Sequence, residues 1–428
     1  MPDDRGTIRQ IAFAELFPWL IMVRALRLAL QMRLLALAAV AMALTIGGWW
    51  GISAMFSGDP ELKAWAAAYG HWPAASDSPR TKIEMMKRTA PGIEGPESAL
   101  FGPPDFGALP ESNPIVTAWR NLSGPFRQLF EPVLSVTGLA FLLLCGLWVD
   151  IVWAFFGGVI TRLIALQVAR EERGSMRAAV RFVRGRYRSY FAAPLYPLLG
   201  VLLFVVPVAL VGLIGHLGSA GLLTLGIIWP LFLLAGLVIT ILLVGLLFGW
   251  ALMWPTLSAE GSDGFDALSR TYSYVYQRPL YFAFLVMLAS VLGAIGWLFV
   301  RFFAALVVYT TAWAVSWGSG GAVLSVAALA ESAPTAAALI GFWQGAVQLI
   351  ASSFVYTYFF SAATIAYFLL RQQVDGTETD EVFVEDQPEK YGLPSLTPDA
   401  AGVPTVTDDA AGDELGESAA NGTGDAAQ

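Results

Sequence analysis

Long uninterrupted apolar runs recur along the chain, and they constrain the fold more than any other feature. The first extends from Leu34 to Phe56 without a charge; the others are Val133–Ile160, Phe191–Gly215, Leu222–Trp254, Leu280–Trp317 and Ala337–Leu370. About 20 apolar residues in helical form cross the roughly 30 Å hydrocarbon core of a bilayer. Within that core every backbone N–H and C=O must find a partner in the chain itself, which makes helices the reading for segments of this length. The expected fold class is all-α: a polytopic helical membrane protein of six transmembrane helices, interfacial helices and a disordered acidic C-terminal tail. Composition agrees, with 56% hydrophobic and 14% charged residues, against roughly 25% charged in soluble domains. An ordinary soluble enzyme and a wholly disordered chain are both excluded.

Two of the runs carry a charge. Asp150 interrupts the second and Arg301 the fifth, and a charge within a span is by default a functional candidate. Counted at 1.5 Å per residue, Asp150 falls about 25 Å past the start of its run, near the inner headgroups and within reach of Arg162. Arg301 falls at the outer interface. Snorkelling at the membrane surface is the expected role of both. The fifth run is too long for one crossing, so Leu280–Val300 is read as the span and Arg301–Trp317 as lying along the outer interface. A rival reading makes Phe302–Trp317 a seventh span. Pro230 predicts a kink in the fourth run.

The organisation follows. Residues 1–33 form a cytoplasmic segment in which Arg24, Arg27 and Gln31 mark the polar stripe of an interfacial helix. The first span is 34–56, and 57–132 is an outer loop rich in Pro and Gly. That loop holds expected short helices near Glu61–Tyr69 and Arg80–Arg88, and an interfacial helix carrying Val116, Trp119, Leu122, Phe126 and Phe130 at helical spacing. Residues 133–371 hold five further spans, with an inner elbow at 159–190 and a second at 255–279. The tail is 372–428. With both termini inside, the inner segments carry 17 of the 25 Lys and Arg residues. Seven of the remaining eight lie in a loop long enough to weigh little on orientation, so the N and C termini are expected in the cytoplasm and the protein in a bacterial inner membrane.

The formal charge of -8 belongs to the tail, which holds 14 acids and one base, Lys390. A tail of that sign repels nucleic acid, reads as disordered and offers a cytoplasmic protein partner a docking segment. The single cysteine, Cys145, and the two histidines, His71 and His216, exclude a disulfide within the chain and give no metal-binding cluster. No cofactor is implied. No pair of carboxylates and no nucleophile with a base emerges, so an enzyme is the least expected class.

Three sets of polar residues stand out. Gln344, Gln348, Ser352 and Tyr356 form one row at four-residue spacing on the sixth span. Such a row lines a solute or lipid-headgroup cavity or, more commonly, makes hydrogen bonds between helices. Arg177, Arg181, Arg184, Arg186 and Arg188 crowd the first elbow, where they set topology and could bind anionic lipid headgroups. Gly245 with Gly249, and Ala289 with Gly293, have the spacing of close-packed helix faces.

The two elbows align with an offset of 89: Glu171 matches Glu260, Ala178 matches Ala267, Arg181 matches Arg270 and Tyr187 matches Tyr276. Each leads into an apolar run, which suggests an internal duplication of span, elbow helix and return span. Phe17-Pro18-Trp19, the stretch from Asp263 to Arg270, and Phe368-Leu369-Leu370-Arg371 with Val374 to Val382 carry a resemblance over most of the chain. In these the sequence resembles multi-span membrane proteins of planctomycete-type bacteria, a group that implies a fold and no activity. More distantly, the elbow-and-span layout is similar to the membrane domain found with some glycerophosphodiester phosphodiesterases. Their soluble catalytic domain has no counterpart here, so that activity does not follow. The leading expectation is a non-enzymatic scaffold or accessory subunit; the alternative is a transporter or lipid-handling protein using the Gln344–Tyr356 face.

Overall fold

A computed structural model describes residues 17–58, 113–130, 135–171, 173–319 and 333–384, with two short strands further on. The chain divides into two units, Met1–Val382 and Phe383–Gln428. Among the described residues the regular structure of the first unit is all helical. A 3-10 turn at Pro18–Val23 leads into α1 (Arg24–Ala29) and α2 (Met32–Met55), followed by α3 (Pro114–Gln128) and α4 (Val136–Arg170). The first elbow comprises α5 (Met176–Gly185) and α6 (Tyr187–Ala192) and returns through α7 (Leu195–Gly212) and a 3-10 turn ending at Leu217. Then come α8 (Ser219–Glu260), the second elbow α9 (Gly264–Gln277), α10 (Pro279–Ser319) and α11 (Pro334–Asp375). Six of these, α2, α4, α7 with its 3-10 turn, α8, α10 and α11, are long and apolar enough to cross a membrane. This is an all-α, multi-pass membrane protein.

Several spans outrun their apolar sequence. α4 extends ten residues past Ile160, into the segment assigned to the elbow, and stops at Glu171, which takes the left-handed conformation at φ 57°. α8 passes through Pro230 and Pro255 without ending, and closes at Gly261 with φ 65°. α10 is one continuous helix of 41 residues. The break expected at Arg301 is therefore absent, and so is a separate seventh span, because Phe302–Trp317 continues the turns of the fifth. At 1.5 Å per residue α8, α10 and α11 are each about 62 Å long, which a bilayer accommodates by helix tilt or by protrusion.

The core lies towards the elbow end of the bundle. Every residue of α11 from Ser353 to Arg371 is buried, as are Trp250 and Leu252–Ala259 of α8 and most of α4 beyond Val149. A helix buried on all sides is apolar or hydroxylic all round; accordingly Thr357, Ser361 and Thr364 donate back to carbonyls of their own helix. Towards the other end the same helices splay and expose their apolar side chains, among them Leu222, Ile227 and Leu234 of α8 and Leu339 and Phe342 of α11. Those faces are solvated by lipid rather than by protein.

α4, the first elbow and α7 follow the same order of span, elbow and return span as α8, α9 and α10. Left-handed caps fall at 171 and 261, and elbow helices begin at 176 and 264, which brackets the sequence offset. The matched tyrosines make the same contact: Tyr187 donates to the carbonyl of Ile151 (2.9 Å) and Tyr276 to that of Ile241 (2.5 Å), each pinning its elbow to the preceding span. α4 and α8 run side by side in the same direction, Gly157 lying under the Trp254 ring and Thr161 meeting Ser258.

In the second unit Leu396–Pro398 pairs antiparallel with Pro404–Val406, in the register Leu396↔Val406 and Thr397↔Thr405. The tail expected to lack regular structure thus contains one short hairpin, consistent with the strand preference of its Thr and Val residues. Residues 1–16, the Glu61–Tyr69 and Arg80–Arg88 helices and the remainder of the tail lie outside the described residues.

Candidate functional site

The helix expected to lie on the membrane surface is instead a wedge between spans. α3 starts at Asn113, whose side chain caps the amide of Ile115 and donates through Nδ2 to the carbonyl of Ser290 on α10. Further along, Trp119 donates to the carbonyl of Leu247 on α8, Asn121 to the Tyr356 hydroxyl on α11, and Phe126 packs on Gly146 of α4. Those partners sit about 16 to 36 Å from the elbow ends of their helices at 1.5 Å per residue, so α3 enters the bundle at the depth of the spans. The amphipathic spacing is real, but both faces of the helix are used. Neighbouring spans supply acceptors for the polar face that water would supply at an interface.

One face of α3 walls a cavity of about 170 Å3, bounded also by α2, α4, α10 and α11. Ser352 and Tyr356 line it, together with Thr45, Asn121 and Trp153. The Trp153 ring stacks on Tyr356 at 4.5 Å between centroids and donates its indole N–H to Thr45. Gln344 and Gln348 do not reach it. They lie two turns and one turn beyond Ser352, in the splayed part of α11, where Gln348 is exposed. The four-residue row therefore divides: its lower half faces the bundle and its upper half does not, because the helices that would flank it have separated.

The opposite face of α3 walls a larger groove of about 650 Å3, completed by α8, α10 and α11. It is almost wholly apolar, with Trp119, Phe248, Phe282, Ala283 and Phe359 among its walls. Val275 of the second elbow and Pro279 also line it, and the residue before Pro279 is Arg278, an exposed cation. Nothing in the sequence pattern singled out Arg278 or Asn121; their roles depend on where α9 ends and where α3 inserts.

Asp150 is shielded from water by protein. It is 4% exposed in the middle of α4, and its Oδ2 has no hydrogen-bond partner among the described residues. Arg162, the partner expected for it, lies three turns away and is committed elsewhere: it donates to the Ser258 carbonyl at 2.6 Å and covers the Phe182 ring at 3.8 Å. The misplacement arose because α4 runs ten residues beyond its apolar stretch, which puts Asp150 near the helix centre. Arg301 is exposed on α10.

The first elbow sorts its arginines. α5 buries Ala179, Phe182 and Val183 against α4, and Arg173, Arg177, Arg181, Arg184 and Arg188 stand exposed at spacings of four, four, three and four. Arg177, Arg181 and Arg184 form one stripe along α5, with Arg173 before that helix and Arg188 in α6. Arg186 leaves the set. It donates to the Gly261 carbonyl at 3.1 Å and lies over Phe182, tying the first elbow to the cap of α8. Tyr190 adds a second tie through Ser258 (2.8 Å), and burial raises its phenol well above the ordinary tyrosine range, so it stays protonated. The Ser258 hydroxyl contacts Thr161 and Tyr190, so this knot joins α4, α6 and α8.

The glycine steps are close-packing faces. A Cβ on Gly245 would lie 2.4 Å from the Tyr272 ring, so that face packs on the second elbow, and one on Gly293 would lie 2.5 Å from Tyr358, across the α10–α11 contact. Tyr358 also donates to the Ala289 carbonyl at 2.7 Å. At the elbow end Tyr367 donates to Glu260, which pairs with Arg270 at 3.0 Å, and Tyr274 donates to Asp375. Arg371 donates to the carbonyls of Glu378 and Glu381, holding the chain after α11 against the bundle. Among the described residues no group of three metal-ligating side chains occurs.

No protein family model, curated protein or solved structure matches this chain.

Proposed function

We propose that the protein is a non-enzymatic lipid-handling membrane protein of a bacterial inner membrane, with both termini in the cytoplasm, which seats one phospholipid in the groove beside α3. The observation that carries this reading is the groove itself: about 650 Å3, apolar, and walled by spans. That volume falls within the roughly 300–1,000 Å3 of small-molecule sites. A groove of this kind on membrane-spanning helices is filled by an acyl chain, since water would leave its apolar walls unsolvated. Arg278 supplies a cation for the phosphate at the elbow end of the groove. The excess of Lys and Arg in the elbows supports the orientation, and the acidic tail is then free in the cytoplasm to engage a protein partner.

The test is lipid retention by the intact protein purified in mild detergent, read by native mass spectrometry. Wild type is expected to carry one phospholipid per chain. Ala283→Phe, placed on an exposed position of the groove wall, is expected to lose it without loss of melting temperature, and Arg278→Gln to retain it less well. Equal lipid content in wild type and Ala283→Phe would remove the groove from the function.

A further inference from the structure

On the other face of α3, and independent of the lipid reading, we infer that the cavity of about 170 Å3 is a binding site for a small neutral molecule with a planar ring and one oxygen substituent. Size sets the first limit: a cavity of about 150 Å3 holds a benzene. Charge sets the second. Among the described residues no Asp, Glu, Lys, Arg or His lines the cavity, and a charged ligand buried there would forfeit its hydration without a counter-ion. The walls favour a ring, since Trp49, Trp153 and Trp297 all contribute. The indole N–H groups of Trp49 and Trp153 are taken by the Cys145 carbonyl and Thr45, so these rings offer carbon surface to an occupant.

The polar requirement is equally specific. Ser352 lines the cavity and makes no hydrogen bond among the described residues. The Asn121 amide donates to Tyr356, and its Oδ1 is buried with no hydrogen-bond partner among the described residues. An acceptor at Asn121 and a hydroxyl at Ser352, in a chamber whose other polar walls are Thr45, Thr117 and Tyr356, match a hydroxyl on the ring, which both donates and accepts. Hydrocarbon alone would leave them unpaired, at a cost that disfavours it against its oxygenated analogue. Such molecules partition into bilayers, so the site is supplied from the membrane.

The probes are 4-fluorophenol, fluorobenzene and 4-fluorobenzoate, titrated against the full chain in detergent and followed by fluorine NMR. Saturable binding of 4-fluorophenol is expected, about fivefold tighter than fluorobenzene for one added hydrogen bond, with no saturable binding of the anion. Ser352→Phe, which fills the chamber, should abolish it, and Asn121→Leu should bring the two neutral probes to equal affinity. Melting temperatures identify any variant that fails to fold, and Val355→Phe then serves as the second filling variant. The inference is overturned if 4-fluorophenol shows only unsaturable partitioning, if both filling variants bind it as wild type does, or if the anion binds as tightly.

Discussion

Asp150 carries a carboxylate oxygen into the centre of a helix where nothing described meets it. A buried, unsatisfied polar group costs about 1–3 kcal/mol, so Asp150→Leu is expected to raise the melting temperature of the detergent-solubilised protein. A lowered value would mean that the carboxylate has a partner and contributes to the fold. Residue type alone made Asp150 conspicuous, but its depth could not be read from the apolar run, because α4 does not stop where hydrophobicity stops. Asn121 shows the converse. As a residue it is ordinary, within a triplet of the glycosylation pattern, and it becomes a cavity wall only because α3 inserts between spans.

The first elbow separates structural from surface charge within one short helix. Arg186 bonds the Gly261 carbonyl and stacks on Phe182, whereas Arg177, Arg181 and Arg184 face away from the bundle. Arg186→Ala should destabilise the protein by about 1–2 kcal/mol, the worth of a charge-assisted hydrogen bond, seen as a lower melting temperature. The triple change of Arg177, Arg181 and Arg184 to Gln should leave that temperature unchanged and reduce the retention of phosphatidylglycerol over phosphatidylcholine in nanodiscs. If Arg186→Ala were silent, the link between elbow and α8 would be dispensable. The stripe was legible from spacing; the exception was not, since Arg186 sits at the break between α5 and α6 and points inward only because Gly261 lies beside it.

Across the whole molecule, six crossings require both ends of the chain in one compartment. Cys145 is buried, so background labelling by a membrane-impermeant maleimide should be low. Cysteine introduced at Thr405 should react only in inverted vesicles, and cysteine at Ser76 only in intact cells. Labelling of both from one side would break the even count of crossings. The even count rests on α10 being one helix: had Phe302–Trp317 crossed separately, the tail would have changed sides.

Hydrophobic run length determined the class of the protein, the number of spans and the approximate place of each, because lipid solvation is a property of a segment's own composition. Spacing within the elbows likewise pointed to a shared layout, in which Tyr187 and Tyr276 each bond a carbonyl of the preceding span. Tertiary structure alone decided where the polar residues face. Lipid is as apolar as a protein core, so hydropathy cannot tell a lipid-facing residue from a packed one. The depth of α3, the split of the Gln344–Tyr356 row, the burial of Asp150 and the two chambers beside α3 all follow from which helices touch, and that information lies between segments rather than within them.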